Sequence, residues 1–224
     1  MIPWIEIDRA NVPESKQEII LRRRGSEFSI RTKETELMNS RIHGSEEVLA
    51  QLACHRIKKK HNARILIGGL GMGYTLAAAL EYSAPDTQIT VSELIGAVIK
   101  WNLDHLGHLA VNPMKDSRVS VIEEDVAITI KKNKSFWNAI LLDVDNGPEG
   151  LTRKANDCLY GKSGIRAAYL ALKPRGVMAV WSSAANETFS KRLKQCGFSV
   201  KTKTVKARKS GKGSRHTIWI AERL

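Results

Sequence analysis

Apolar positions change their rhythm along the chain. Over the first 45 residues they alternate in short runs. "QEIILRR" and "EFSIRT" flank Arg24-Gly25-Ser26, which predicts a hairpin, and "ETELMNS" predicts a third strand. From Gly44 the spacing lengthens. "SEEVLAQLACHRI" carries apolar residues at helical intervals, with Ser45 placed as its N-cap. Strand-like and helix-like runs then alternate. Strands are predicted at "RILI" (64–67), "QITVSEL" (88–94), "RVSVIEED" (118–125), "NAILLDVD" (138–145) and "VMAVWSS" (177–183). Between and after them come the helices "YTLAAALEYS", "GAVIKWNLDHL", "VAITIKK", "GIRAAYLALK" and "NETFSKRLKQCG". Two long alternating runs, "FSVKTKTVKA" and "RHTIWIAE", read as a closing antiparallel pair. This rhythm predicts an α/β fold: a doubly wound, mostly parallel, seven-stranded sheet over 45–224, preceded by a β-hairpin extension over 1–44.

The loop after the first strand of that sheet, "IGGLGMGY", asks for a ligand. Gly69, Gly71 and Gly73 form a G-x-G-x-G that leaves main chain bare beside a helix start. Ligands of such sheets bind beyond the carboxyl ends of the strands. Glu93 ends the second strand, 20 residues after Gly73, where a carboxylate can accept from both hydroxyls of a ribose. Asp125 ends the third strand within reach of an adenine amino group, and Asp143 ends the fourth. Together these predict nucleoside binding. A nicotinamide dinucleotide fits less well, because its fingerprint is G-x-G-x-x-G and Tyr74 stands where the last glycine belongs.

Charge adds a second theme. The net charge is +13, and no acidic residue occurs from Thr188 to Ala221, a stretch that holds ten lysines and arginines including Lys206, Arg208, Lys209, Lys212 and Arg215. Such a field attracts polyanions, so two readings stand: a solubilising surface, or a nucleic-acid-binding face. The three cysteines (Cys54, Cys158 and Cys196) form no C-x-x-C pair and read as lone thiols. His105 and His108 share a helix face without acidic or cysteine company, so no metal is expected. Trp101 and Trp181 read as core, Tyr160 as a cap over the pocket, and His43 as a neighbour of the crevice. The first residues lack a basic start and an apolar segment, and no run is long enough to span a bilayer, so a cytoplasmic protein without membrane contact is expected.

The chain resembles the class I S-adenosylmethionine-dependent methyltransferase fold, and within it the spermidine synthase-like branch. The likeness runs from Leu37 to Leu224 and rests on "RILIGGLGMG", "VSELIGAVIKWN", "VIEEDV", "AILLDVDNGPEGL" and "ALKPRGVMAVWS". It implies a Rossmann-like sheet and S-adenosyl-L-methionine, or its decarboxylated form, as cofactor. By that likeness Gly69, Gly71 and Gly73 line the methionine part, Glu93 holds the ribose and Asp125 faces the adenine, with Leu70, Met72, Leu94, Val126 and Asp143 also among the cofactor-binding residues. Asp143 and Asp145 are the implied catalytic candidates. Two features depart from spermidine synthases. Met72 stands where they carry an Asp in the glycine loop, and "DVDNGPEG" is one residue short of their D-x-x-D-P-x-G-P loop. Both remove or displace a carboxylate that holds amines. The expectation is therefore a methyltransferase acting on an unidentified small-molecule acceptor. Polyamine aminopropyl transfer is the alternative, and a nucleic-acid methyltransferase or basic nucleic-acid-binding protein is the third reading. Relatives of this kind pair or form tetramers, which implies self-association such as a homodimer, for which the amino-terminal hairpins could serve.

Overall fold

Four amino-terminal strands pair in chain order. In the computed structural model, which describes residues 2–13, 15–144, 147–148, 159–207 and 213–224, they are Ile5–Asn11 (β1), Glu18–Arg24 (β2), Glu27–Arg31 (β3) and Glu36–Asn39 (β4). All neighbours are antiparallel. The sequence pattern predicts β2 to β4 but not β1, whose seven residues are nowhere fully buried and so carry no apolar stripe. β1 is held by its ladder to β2, where Ile19, Ile20 and Leu21 are all buried, and by Trp101, whose indole N–H donates to Asp8 Oδ2 at 2.8 Å.

The rest of the chain winds around one sheet. Gly44–Ile57 (α1) leads into Arg64–Gly68 (β5), Tyr74–Tyr82 (α2), Gln88–Glu93 (β6), Gly96–Trp101 (α3), Val119–Glu123 (β7), Val126–Lys132 (α4) and Trp137–Leu142 (β8). Lys162–Ala171 (α5), Leu172–Ser182 (β9), Glu187–Gln195 (α6), Phe198–Lys206 (β10) and Arg215–Arg223 (β11) complete it. The strand order is β10-β11-β9-β8-β5-β6-β7. β5 to β9 run parallel, and β11 is antiparallel to both of its neighbours. The expected α/β fold with a mostly parallel seven-stranded sheet is what forms.

Strand period explains the layers. Ile65 and Ile67 of β5, with Ala139 and Leu141 of β8, face a core shared with α1, α2 and the inner face of the amino-terminal sheet. Leu66, Ile140 and Leu142 face a second core under α4, α5 and α6. The amino-terminal sheet therefore lies against the α1 side and overhangs the carboxyl ends of the strands. β5 and β8 are neighbours whose chains depart in opposite directions, β5 towards β6 and β8 towards β9, which makes the switch point of the sheet.

Three local expectations are corrected. Ser45 does not cap α1; the cap position is His43, without a side-chain hydrogen bond, and Ser45 lies inside the first turn. The helix expected to reach Lys173 stops at Ala171, because Pro174 pushes the preceding residue out of helical conformation. β9 starts at once, and its ladder to β8 jumps from Trp137↔Leu172 to Ala139↔Val177, so Lys173–Gly176 bulge out. The helix after β6 is α-helical only to Trp101 and widens into a π turn at Asn102–Leu106. There Asn102 Nδ2 donates both to Val98 O at 2.9 Å and to Gly71 O at 2.8 Å, tying the helix to the glycine loop. Among the described residues no helix is long and apolar enough to cross a membrane.

Candidate active site

A cavity of about 210 Å³ opens at the switch point. Its floor is the loop between β5 and α2. Gly69 has φ +88, and a Cβ there would sit 2.4 Å from the Asp143 carbonyl oxygen; at Gly71, φ +53, it would meet Met38 Sδ at 2.9 Å. Only glycine gives both this turn and this approach. Leu70 and Met72 complete the floor, with Met72 fully buried. Gly73 is one step away, capping α2 at φ +83 rather than lining the cavity.

The strand ends supply acids. Glu93, 7% exposed, accepts from the Leu70 N–H through Oε2 at 2.8 Å and from the Ile95 N–H through Oε1 at 2.9 Å. It thus braces the glycine loop. Burial pushes its carboxyl up, and the main-chain donors oppose that. The Leu94 and Gly71 N–H groups also act on the carboxylate from the loops on either side. Asp125 accepts from the Ala127 N–H at 2.8 Å and caps α4 while facing the cavity. Leu94 and Val126 line the same end. Val126 also packs so closely on Gly68 that a Cβ there would lie 2.9 Å from it. Asp143 Oδ2 accepts from the Thr75 hydroxyl at 2.6 Å. Asp145 falls outside the described residues.

The opposite wall comes from far away in sequence. Val12, Ile19, Ile30, Leu37 and Met38 of the amino-terminal segment make it apolar, and Glu46 from the first turn of α1 adds a fourth acid. Burial, and then the charge of Asp143, pushes the Glu46 carboxyl up to about 7. Burial pushes Asp143 up to about 6 against the Thr75 hydrogen bond. Two acids so placed share one proton more readily than they carry two charges. Ser45, fully buried, donates to Glu46 Oε2 at 2.6 Å and touches His216 Nδ1 at 2.8 Å.

Three other expected residues take these places. Trp181, expected in the core, packs against it half-buried and also lines the cavity, edge-on to His216 at 4.7 Å. Tyr160, expected as a cap, is buried in the second core against Phe189. His43 is outside this cavity, stacked on Tyr74 at 3.9 Å and paired with Glu47 at 2.7 Å; both rings line a separate groove. Trp101 is buried as expected. The sequence analysis missed Glu46, Met38 and Trp181. "SEE" reads as an ordinary acidic helix start, and nothing local says which of its acids turns inward.

No protein-family model and no curated protein matches the chain. Solved structures do share its fold. Spermidine synthase from Thermotoga maritima superposes with a TM-score of 0.75 at 18% identity, covering 98% of this chain and 73% of that one. A spermidine synthase in complex with the transition-state analogue AdoDATO gives 0.74 at 17% identity, over 98% and 72%. Human methyltransferase-like protein 13 in complex with SAH gives 0.58 at 16% identity, over 80% of each chain. The fold is thus the one that these spermidine synthases and this methyltransferase share.

Proposed function

We propose that this chain is a transferase that takes an alkyl group from S-adenosylmethionine or its decarboxylated form. The observation that carries the reading is the meeting of bare glycine main chain, Glu93 and Asp125 on one cavity at the switch point. The residues fit the donor: Gly69 and Gly71 leave room against the backbone, Glu93 can accept ribose hydroxyls, and Asp125 can accept from the adenine amino group. Structures of this fold with AdoDATO and with SAH support it. When bound, the donor supplies a sulfonium electrophile. The chain then has to align an acceptor and keep water away. The apolar wall does the second, and the acids Glu46 and Asp143 attract a nitrogen nucleophile for the first.

Methyl transfer to a small-molecule acceptor is the first reading. Aminopropyl transfer is the second, and it has its own observations. No Lys, Arg or His is among the described residues that line the cavity, so the carboxylate of the intact donor meets no cationic side chain there. Glu46 also supplies an acid to a cavity whose glycine loop carries Met72 in place of one. Thermal shifts with S-adenosylhomocysteine and with intact and decarboxylated S-adenosylmethionine decide. A ligand at a hundredfold excess over Kd raises Tm by about 5–10 °C in a chain of this size. The first reading expects the intact donor to stabilise at least as much as the decarboxylated one. The reverse order, with a new polyamine formed from putrescine, establishes the second. No shift from any of the three overturns both.

A further inference from the structure

Beyond holding a ligand, the acid on α1 is connected to the outside of the molecule. Ser45 is fully buried and has a partner on each side: Glu46 Oε2 at 2.6 Å and His216 Nδ1 at 2.8 Å. His216, 171 residues away in sequence, is half-buried at the start of β11, beside exposed Arg215. Its ring is set edge-on against Trp181, which lines the cavity. The three side chains thus run in an unbroken line from the cavity towards solvent.

We propose that Glu46, Ser45 and His216 form a proton exit from the cavity, with Glu46 taking the proton from the acceptor. The proposal rests on the transferase reading. In alkylation of an amine, the nitrogen lone pair forms the new N–C bond, the C–S bond breaks, and its electrons return to sulfur. The nitrogen is left with one proton too many. The Glu46 carboxylate accepts it. Glu46 then gives a proton to Ser45 Oγ as the Ser45 hydroxyl proton passes to His216 Nδ1, and His216 Nε2 releases one to water. Ser45 Oγ is restored, and His216 is left neutral with its proton on Nδ1.

The surroundings fit this use. Burial holds the Glu46 proton near neutrality, helped by the charge of Asp143 at the end of β8 and, to a smaller extent, by Glu47 on the same helix. Tyr74 on α2 is pushed up to about 12 by burial and by Glu46 and Glu47, so it stays protonated and does not compete as a base. Burial lowers His216, so the ring is neutral when the proton arrives and gives it up readily.

A serine has one hydroxyl proton, so the line has two states. With Glu46 ionised, Ser45 donates to it and accepts from His216 Nδ1–H. With Glu46 protonated, Ser45 donates to His216 Nδ1, and the ring proton moves to Nε2. Nitrogen-15 NMR of the imidazoles in the full chain, from pH 5.5 to 8, reads the tautomer directly. The expected result is that His216 changes tautomer at the pH where the Glu46 carboxyl carbon titrates. In Glu46→Gln the change is lost. In Ser45→Ala, His216 no longer follows Glu46, and Ser45→Thr, which keeps a hydroxyl, restores the link. A His216 tautomer that is constant in the native chain, or that switches equally in Glu46→Gln, overturns the proposal and leaves only a tie between α1 and β11. Binding of S-adenosylhomocysteine, followed by thermal shift in the same samples, separates the two failures. Binding without the switch sinks the exit alone, and a switch without binding sinks the transferase reading.

Discussion

The two walls of the cavity are built on different principles. The floor, from Gly69 to Met72 with Glu93, Asp125 and Asp143, comes from strand ends and the loops that follow them. Its parts are set by the sheet itself: once β5, β6, β7 and β8 lie in order, their last residues meet. The opposite wall, with Met38, Glu46 and Trp181, is assembled from a β-hairpin sheet, a helix start and a later strand. Under the proposed function the floor would meet the donor and the opposite wall the acceptor. Donor and acceptor recognition would then be physically separable, and substitutions can show it.

The largest effect is expected on the floor. Gly69→Ala forces a side chain into φ +88 and against the Asp143 carbonyl oxygen. Strain of that kind costs about 1–3 kcal/mol, and the overlap adds to it. Urea melts should show a loss of about 3 kcal/mol, and S-adenosylhomocysteine should no longer shift Tm. Next comes Glu93→Ala, which removes the proposed ribose acceptor and also strands the Leu70 and Ile95 N–H groups. An unsatisfied buried donor costs about 1–3 kcal/mol, so a stability loss of about 2 kcal/mol should accompany the loss of binding. Full stability in that variant would mean the loop needs no brace.

Thr75→Val should be milder. It takes one hydrogen bond from Asp143, worth about 1.5–3 kcal/mol for a charged acceptor, and calorimetry should find donor affinity down about tenfold or more with the fold intact. The smallest effect belongs to the opposite wall. Folding raises Glu46 to about 7 and Asp143 to about 6. An acid raised on folding favours the native state while protonated. Stability is therefore full below the ordinary carboxyl range near about 4 and falls as pH rises towards 7. Glu46→Gln should flatten the slope of Tm between pH 5 and 7.5 without weakening S-adenosylhomocysteine. If it abolished that binding, the two walls would not be separable.

The same division governs what the sequence discloses. The floor is legible because its signals are local: a glycine spacing, then one acid at each strand tip. The mostly parallel sheet follows from the βαβ rhythm, and the exceptions have local causes, such as Pro174 behind the early end of α5 and Asn102 at the π turn. Glu46 and Trp181 are not legible, because a helix's inward acid and a strand's last aromatic acquire meaning only from what packs opposite. Ser45 shows this most clearly. In sequence it is a good cap, and in the fold it faces His216, a residue that no local pattern connects to it. β1 escapes for a different reason: its stability lies in its ladder, which leaves no trace in side-chain polarity.

The central claim is that the glycine loop and the acid at the tip of β6 hold an adenosyl sugar. A crystal structure of the chain with S-adenosylhomocysteine tests it most directly. Both ribose hydroxyls should lie within hydrogen-bonding distance of Glu93, the adenine beside Asp125, and the sulfur turned towards Asp143 and Glu46. Ligand density outside this cavity, or a ribose with no contact to Glu93, would contradict it.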